Sequence, residues 1–576
     1  MIDVVIRGGQ VIDGTGGPRK AADVGIDGGR VVTVGRVDES ARRTIDARGC
    51  IVAPGFVDVH THLDVQGFWD QTLSPSPLHG VTTVIAGNCG FSVAPLSPDA
   101  AEYVMEMLAK VEGMPLSALR QGVPWDWRST SDFLGRFEQR LSINAGFMIG
   151  HSPLRRVVMG AAATERPAEP NEIAAMSALL ADGLRAGGLG FSTSWGFAHR
   201  DGDGRPVPSS HAPASELVDL ASVCRDFDGT SIEFIPPNPN AAFDDQVIDV
   251  MVAMSAAARR PLNWNLMNPS ATNVDVCEHN LGVYEAAMRE GGHVVALTNP
   301  FPSMLRITFE PGFLLESLNE WAPTMSLPHR AKLEALRDPV RRRDLERSAA
   351  QPSSAFDLVA KDWGGHFIFD THSEGTARYQ GRYVRDIAAE MGKSPFDALC
   401  DIVCADDLKT GFGRATPNVK AEDLAVRARI WENPGALVGG SDTGAHLDML
   451  ATFSLTTTFL ARAVREFGVM TTERAVHHLT GRPATLYGLV DRGILTEGAH
   501  GDVVVFDEMT VAPSEVSTRF DLPGGAGRLY ADAVGVHAVL VNGALIVDDG
   551  SFTDARPGEV LRSGTDTHTS TLMSAV

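Results

Sequence analysis

Two imidazoles two residues apart close the stretch IVAPGFVDVHTHLD, residues 51–64. The run from Ile51 to Val59 is mainly apolar, broken by Pro54-Gly55 and carrying one acid, Asp58, so it reads as a strand. Side chains alternate faces along a strand, which points His60 and His62 the same way. Two imidazoles on one face at a strand end can reach one metal ion. Two polar residues at a strand tip would look the same, so the pair needs partners. A second apolar strand, VTTVIAGNCGFS, ends in Asn88-Cys89-Gly90. Its cysteine is either buried filler in a tight turn or a thiolate, which binds zinc strongly. Near the other end of the chain, ALVGGSDTGAHLDML sets Asp442 directly after a short apolar strand, with His446 and Asp448 close behind. An aspartate in S-D-T-G also suits a simple turn cap.

These groups matter together only if their strands lie side by side. From residue 55 onward, strands and helices alternate, the pattern of a parallel sheet with crossover helices. Eight strands are expected, at 55–62, 81–87, 144–150, 188–193, 231–235, 262–267, 293–297 and 436–440. Eight such units predict an α/β fold, a (β/α)8 TIM-like barrel over 55–490, whose working groups follow the carboxyl ends of the strands. Helices are expected at 171–186 and 214–227. The gap of about 301–435 is too long for one crossover and reads as an insertion. It includes the basic helical run PHRAKLEALRDPVRRRDLERSA, a solvated face by its charge. An insertion there often covers the mouth and helps set specificity.

The two ends of the chain share a texture. Residues 1–54 alternate short strands with glycine turns, and 491–562 do the same, as in GDVVVFDEMTV and AVLVNGALIVDDG. Neither is long enough for a good core alone, so together they predict a small β-sandwich flanking the barrel. The tail 563–576 has no pattern and reads as disordered.

Composition narrows the partners. The chain has 576 residues, 44% hydrophobic and 21% charged, ordinary values for a globular protein. Its 72 acidic and 50 basic residues give a net charge of −22, which repels nucleic acid and anionic membrane. There is no signal-peptide pattern and no apolar run of about 20 residues. Six cysteines form no disulfide framework, and Cys400 and Cys404 read as buried helix residues. A cytoplasmic protein with a small-molecule substrate is expected, and a homo-oligomer is left open.

The stretch 51–64, with Pro-Gly before H-x-H and an acid after it, resembles the first strand of the amidohydrolase superfamily. The string GVTT…GNCGFS closely resembles N-acyl-D-amino-acid deacylases, as do G-H-S-x-L-R at 150–155 and G-F-S-T at 190–193. The closing segment from Glu473 to Asp507 is also similar. The resemblance implies a divalent metal, one or two Zn2+ ions or another metal, with His60, His62, Cys89 and Asp442 as ligands. It implies hydrolysis of a non-peptide C–N amide bond by metal-activated water, with Asp442 as general base and then acid. His446 is a candidate to polarise the substrate carbonyl or to replace a missing ligand.

Strands five to seven depart from that family. Deacylases place one histidine at the end of strand five and another at strand six, and these hold the tighter zinc. Here Glu233 stands at the first position and Asn263 or Asn265 at the second. Glu233 can still ligate zinc through oxygen, whereas asparagine suits harder cations. The lysine and tyrosine that help bind the substrate carboxylate are replaced, around Met267 and Asn299. The expected metal set is therefore His60, His62, Cys89, Glu233 and Asp442. The expected substrate contacts are His151, Ser192, Asn265 and His372. Two other readings stay open: a cyclic amide, lactone or ester hydrolase on the same scaffold, or a metal-poor barrel that only binds.

Overall fold

The computed structural model describes residues 1–576 except 198, 311–312, 352–360, 415–417 and 572–576. It is an α/β protein organised on eight parallel strands. These are β1 (Phe56–Asp58), β2 (Val81–Ala86), β3 (Asn144–Phe147, continued as Ile149–Gly150), β4 (Gly190–Ser194), β5 (Ser231–Ile235), β6 (Pro261–Met267), β7 (His293–Thr298) and β8 (Ala436–Val438). Each pairs in parallel with the next in chain order. The last and first meet just past their ends. Thr61 and Thr443 form a parallel bridge, Asp442 N donates to His60 O at 3.0 Å, and His62 N donates to Thr443 O at 2.7 Å. All eight carboxyl ends therefore open on one side.

Alternation along β5 and β6 sorts apolar from polar. Ile232, Phe234, Leu262 and Trp264 pack outward in one core with helix residues such as Leu217 and Met251. Glu233, Asn263 and Asn265 take the opposite face of the same strands and are buried there. The crossover helices follow their sequence signals. Pro170–Arg185 starts with a Glu169–Glu172 capping box and buries Met176, Leu180 and Leu184 along one stripe. The helix expected at 214–227 runs Ala214–Val223 and ends in a tighter turn. Pro98–Val111 (α1) joins β2 to β3 and comes to bear on the site below.

The chain ends form one nine-stranded sheet in which Val503–Phe506 pairs antiparallel with Ile51–Pro54. Val4, Ile6, Val24, Val505 and Leu540 share its core. The 301–435 segment carries its own antiparallel sheet (Leu305–Ile307, Phe367–Asp370, Gly411–Arg414). Phe309, Trp321, Phe396 and Phe412 form its core. Cys400 and Cys404 are buried in the helix Pro395–Ala405, as expected.

The tail differs from expectation. Just before it Val560–Leu561 pairs with β3, and within it Thr567 Oγ1 donates to Gly229 O at 2.6 Å. Asp228 accepts from Thr569 N at 2.8 Å. Short polar residues with partners far away in the chain hold a patternless segment here, and 572–576 fall outside the described residues. No helix among the described residues is long and apolar enough to cross a membrane.

Candidate metal centre

The strand ends bring four of the expected groups together. Cys89 Sγ lies 3.4 Å from His60 Nε2 and 3.6 Å from His62 Nε2. Asp442 Oδ1 lies 3.5 Å from His60 Nε2 and 3.1 Å from His62 Nε2. Both imidazoles and the thiol are buried. Two sets of donor atoms among the described residues lie within 4.8 Å of one another: His60, His62 and Cys89, and His62, Glu112 and Asp442.

Local backbone explains how Cys89 gets there. The residue sits at φ 59°, and Gly87 and Gly90 on either side also have positive φ. A Cβ on Gly87 would lie 2.4 Å from Met148 O, so the turn needs glycine at that point. Two side chains then hold the turn. Ser192 Oγ donates to Gly87 O at 2.6 Å and accepts from Gly90 N at 3.1 Å. Glu233 Oε2 accepts from Cys89 N at 2.7 Å.

Several expected roles change accordingly. Glu233 is absent from both convergent sets. Its second oxygen accepts from Asn265 Nδ2, so both oxygens are engaged in fixing the Cys89 turn and its neighbour. Ser192, expected as a substrate contact, is engaged with the same turn through both of its hydrogen bonds. His151 is fully buried: Nδ1 meets Thr193 Oγ1 and Nε2 meets Glu216 Oε1, each at 2.9 Å, and Arg155 donates to the same carboxylate. It belongs to a buried ion cluster with Glu216 and Arg155, with no exposed side-chain surface. Glu216→Gln would leave the buried Arg155 without a counter-charge. Denaturant unfolding should show a loss of about 3–5 kcal/mol, and a loss below about 1 kcal/mol would contradict this reading. His372 lies in the insertion, its ring edge-on to Phe520 at 5.1 Å and its Nε2 3.6 Å from Asp370 Oδ2. It does not reach the donor atoms. Asn265 does line the inner cavity.

That cavity, about 170 Å³, is bounded by His60, Cys89, Glu112, His199, Asn265 and Asp442, with Val111, Ile235 and Leu266 as its apolar wall. A wider vestibule of about 930 Å³ lies outside it, where His446 is found. His446 Nε2 is 3.8 Å from Asp442 Oδ2.

Two lining residues were not found from the sequence. Glu112 caps the carboxyl end of α1, and its Oε1 lies 3.5 Å from His62 Nδ1. Its carbonyl accepts from His446 N, which ties α1 to the loop after β8. His199 follows β4; its Nδ1 is 2.9 Å from Ser194 Oγ and Phe91 packs edge-on against it. Burial pushes the His199 imidazole down to about 4.

The electrostatics of the cluster call for a cation. Burial pushes the carboxyl groups of Glu112 and Glu233 up to about 7. Burial also raises the Cys89 thiol well above its ordinary value, with Glu233 and Glu112 adding to it. Burial alone would lower His62, but Glu112 and Asp442 outweigh it and lift the imidazole to about 10. A proton on His62 thus offsets part of the buried negative charge. Thiolate, imidazole and carboxylate in one buried cluster are the donors that zinc takes. Because its Nε2 faces Cys89 and Asp442, His62 is left to present Nδ1 to Glu112, the carboxylate–histidine arrangement that orients a metal ligand. Glu112→Gln should weaken zinc binding about 10–100-fold, read by competition with a chelating dye. Unchanged affinity would remove Glu112 from this role.

A model of the amidohydrolase family matches residues 43–547. The chain belongs to this family. It is 31% identical to the N-acyl-D-glutamate deacylase of Alcaligenes xylosoxydans xylosoxydans, over 97% of this chain and 96% of that one. A crystal structure of D-aminoacylase matches with a TM-score of 0.66 at 28% identity, over 98% of this chain and 100% of that chain. The N-acyl-D-glutamate deacylase from Bordetella bronchiseptica, solved with zinc and a phosphonate inhibitor, matches with a TM-score of 0.65 at 27% identity, over 97% and 99%. The resemblance read from strands one to four and the closing segment is borne out over nearly the whole chain. This amidohydrolase nevertheless carries Glu233, Asn263 and Asn265 on strands five and six.

Proposed function

We propose that this amidohydrolase cleaves the non-peptide C–N amide bond of a small N-acyl compound, using a divalent metal, zinc by its donors. The observation that carries the reading is the convergence of Cys89 Sγ with the Nε2 atoms of His60 and His62 at 3.4 and 3.6 Å beside Asp442. Cys89, His60 and His62 would hold the ion, with Asp442 completing the set. When bound, such an ion lowers the pKa of water toward neutrality and polarises a carbonyl.

The other steps belong to the chain's own groups. Burial pushes Asp442 up, but hydrogen bonds from His60 and His62 outweigh it and hold the carboxylate well below its usual range. It is therefore ionised at neutral pH and able to take a proton at Oδ2, the oxygen facing His446. The same carboxyl would return that proton to the departing nitrogen. His446, whose imidazole burial holds below its ordinary value, borders the vestibule and would orient the substrate carbonyl. The apolar wall of Val111, Ile235 and Leu266 keeps bulk water from the reacting atoms.

The parallel pairing of successive strands, in two sheets joined through β3, and the Thr61–Thr443 bridge support a closed (β/α)8 barrel at 55–490. The nine-stranded terminal sheet supports a β-sandwich domain drawn from 1–54 and 491–562. Six unpaired cysteines fit a cytoplasmic setting.

The test is turnover by zinc-loaded protein on a panel of N-acyl amines, N-acyl-D-amino acids, hydantoins and lactones. Hydrolysis of linear N-acyl compounds is expected. Activity confined to hydantoins or lactones would replace this reading with the cyclic one.

A further inference from the structure

The closing part of the chain reaches the mouth of the site as well as the terminal sheet. Ser517–Arg519 pairs antiparallel with Arg528–Tyr530. Between these strands, Phe520 and the glycine-rich turn at 524–527 border the vestibule. Polar contacts fix this hairpin. Arg528 donates to both carboxylate oxygens of Asp521 at 2.9 Å and to Ser74 O at 2.8 Å. Thr518 donates to Asp370, the carboxylate that also pairs with Arg306. Leu529 N donates to Leu447 O at 2.7 Å, one residue past His446. The hairpin is thus set in register with the loop that follows β8.

Phe520 is the large apolar side chain that this hairpin presents. Its ring is held by its neighbours. A Cβ on Gly527 would lie 3.0 Å from ring carbon Cε1, so the ring rests on that glycine. His372 meets the ring edge-on at 5.1 Å. His372, expected as a substrate contact, is therefore a positioning residue for Phe520. The phenylalanine is nevertheless 49% exposed, and it lines the vestibule. Met114, Leu116 and Met449 line the same space. A phenyl ring fixed in place yet half uncovered is an apolar surface open to a ligand.

The two cavities adjoin. Glu112 borders the inner one and Gly113 the vestibule, and Asp442 of the inner one lies 3.8 Å from His446 of the vestibule. A substrate with its amide at the metal donors and more bulk than about 170 Å³ can hold continues outward past His446.

Resting on the amide-hydrolase reading above, we infer that Phe520 is a specificity-determining residue whose ring takes an apolar chain of the substrate in the vestibule. The class is an N-acyl compound with a chain of several carbons on one side of the amide.

Three compounds test the length and the side of the chain: N-acetyl-alanine, N-pentanoyl-alanine and N-acetyl-norleucine, each as both enantiomers. The last two each add three methylenes, one on the acyl side and one on the amine side. Zinc-loaded protein is used, with kcat/KM where a compound is turned over and Kd by calorimetry where it is not. One of the longer compounds should exceed N-acetyl-alanine by about 10-fold or more, and the compound that gains tells which side carries the chain. In Phe520→Ala that ratio should fall to within about threefold. Phe520→Leu keeps an apolar surface and should fall between the two, which tells loss of the ring from loss of the fold. No gain from either chain, or a gain that Phe520→Ala leaves unchanged, would overturn the inference, as would no binding by any of the three. Binding in the expected order without turnover would support the inference and count against the hydrolytic reading, so the two fail separately.

Discussion

Asp442→Asn should lower kcat by about 10²–10⁴-fold, the usual contribution of a positioned acid–base group, while zinc content stays near that of the wild type. The backbone argues for a clean substitution. Asp442 lies at φ 59°, a conformation that asparagine adopts readily. Its amide donates to His60 O, and its carbonyl accepts from Ala445 N at 3.1 Å. Both bonds survive the change. The asparagine keeps the shape and a carbonyl oxygen near His62, but it has no basic oxygen to receive a proton. Cys89, His60 and His62 remain to hold the ion. Turnover within threefold of wild type would remove Asp442 from the proton step.

The second large effect is expected at the thiol. Cys89→Ser should abolish stoichiometric zinc after dialysis, with an affinity loss beyond the 10–100-fold that a supporting partner costs. Serine fits the turn. The backbone N–H would still donate to Glu233, and Ser192 would still bind Gly87 and Gly90. What is lost is the one soft donor of the cluster, and a neutral hydroxyl is a poor replacement for a thiolate. Elemental analysis of the variant beside the wild type reads the effect. A full equivalent of zinc in the serine variant would show that the imidazoles and carboxylates suffice.

The parts of the site that were legible in the sequence are those set by local rules. His60, His62, Cys89 and Asp442 each follow directly on an apolar strand. In an array of parallel strands, position in chain and position at the mouth are then the same information. The joining of the chain ends was legible for a similar reason: alternating strands at 2–54 and 503–552 had no other partner that could cover them.

What escaped depends on contacts between distant elements. Glu112 ends an amphipathic helix, where a lone acid normally meets solvent. Only the packing of α1 against the loop of His446 turns it inward. His151 resembles a strand-end ligand until Glu216 and Arg155 close around it, and Glu216 is 65 residues away in the chain. Glu233 was placed on the correct strand and face. Its role was decided by a backbone N–H that points at it only because Cys89 adopts a left-handed conformation. The tail at 563–571 has no apolar pattern at all, and is held by Asp228 and Gly229, more than 300 residues earlier.

One metal ion is expected where β1, β2 and β8 end. Anomalous diffraction at the zinc edge from metal-loaded crystals tests it most directly. The expected result is a peak about 2.0–2.3 Å from Cys89 Sγ and from the Nε2 atoms of His60 and His62, with Asp442 adjoining. A strong peak elsewhere, or a fully loaded protein whose peak lies beyond bonding distance of Cys89, would contradict it.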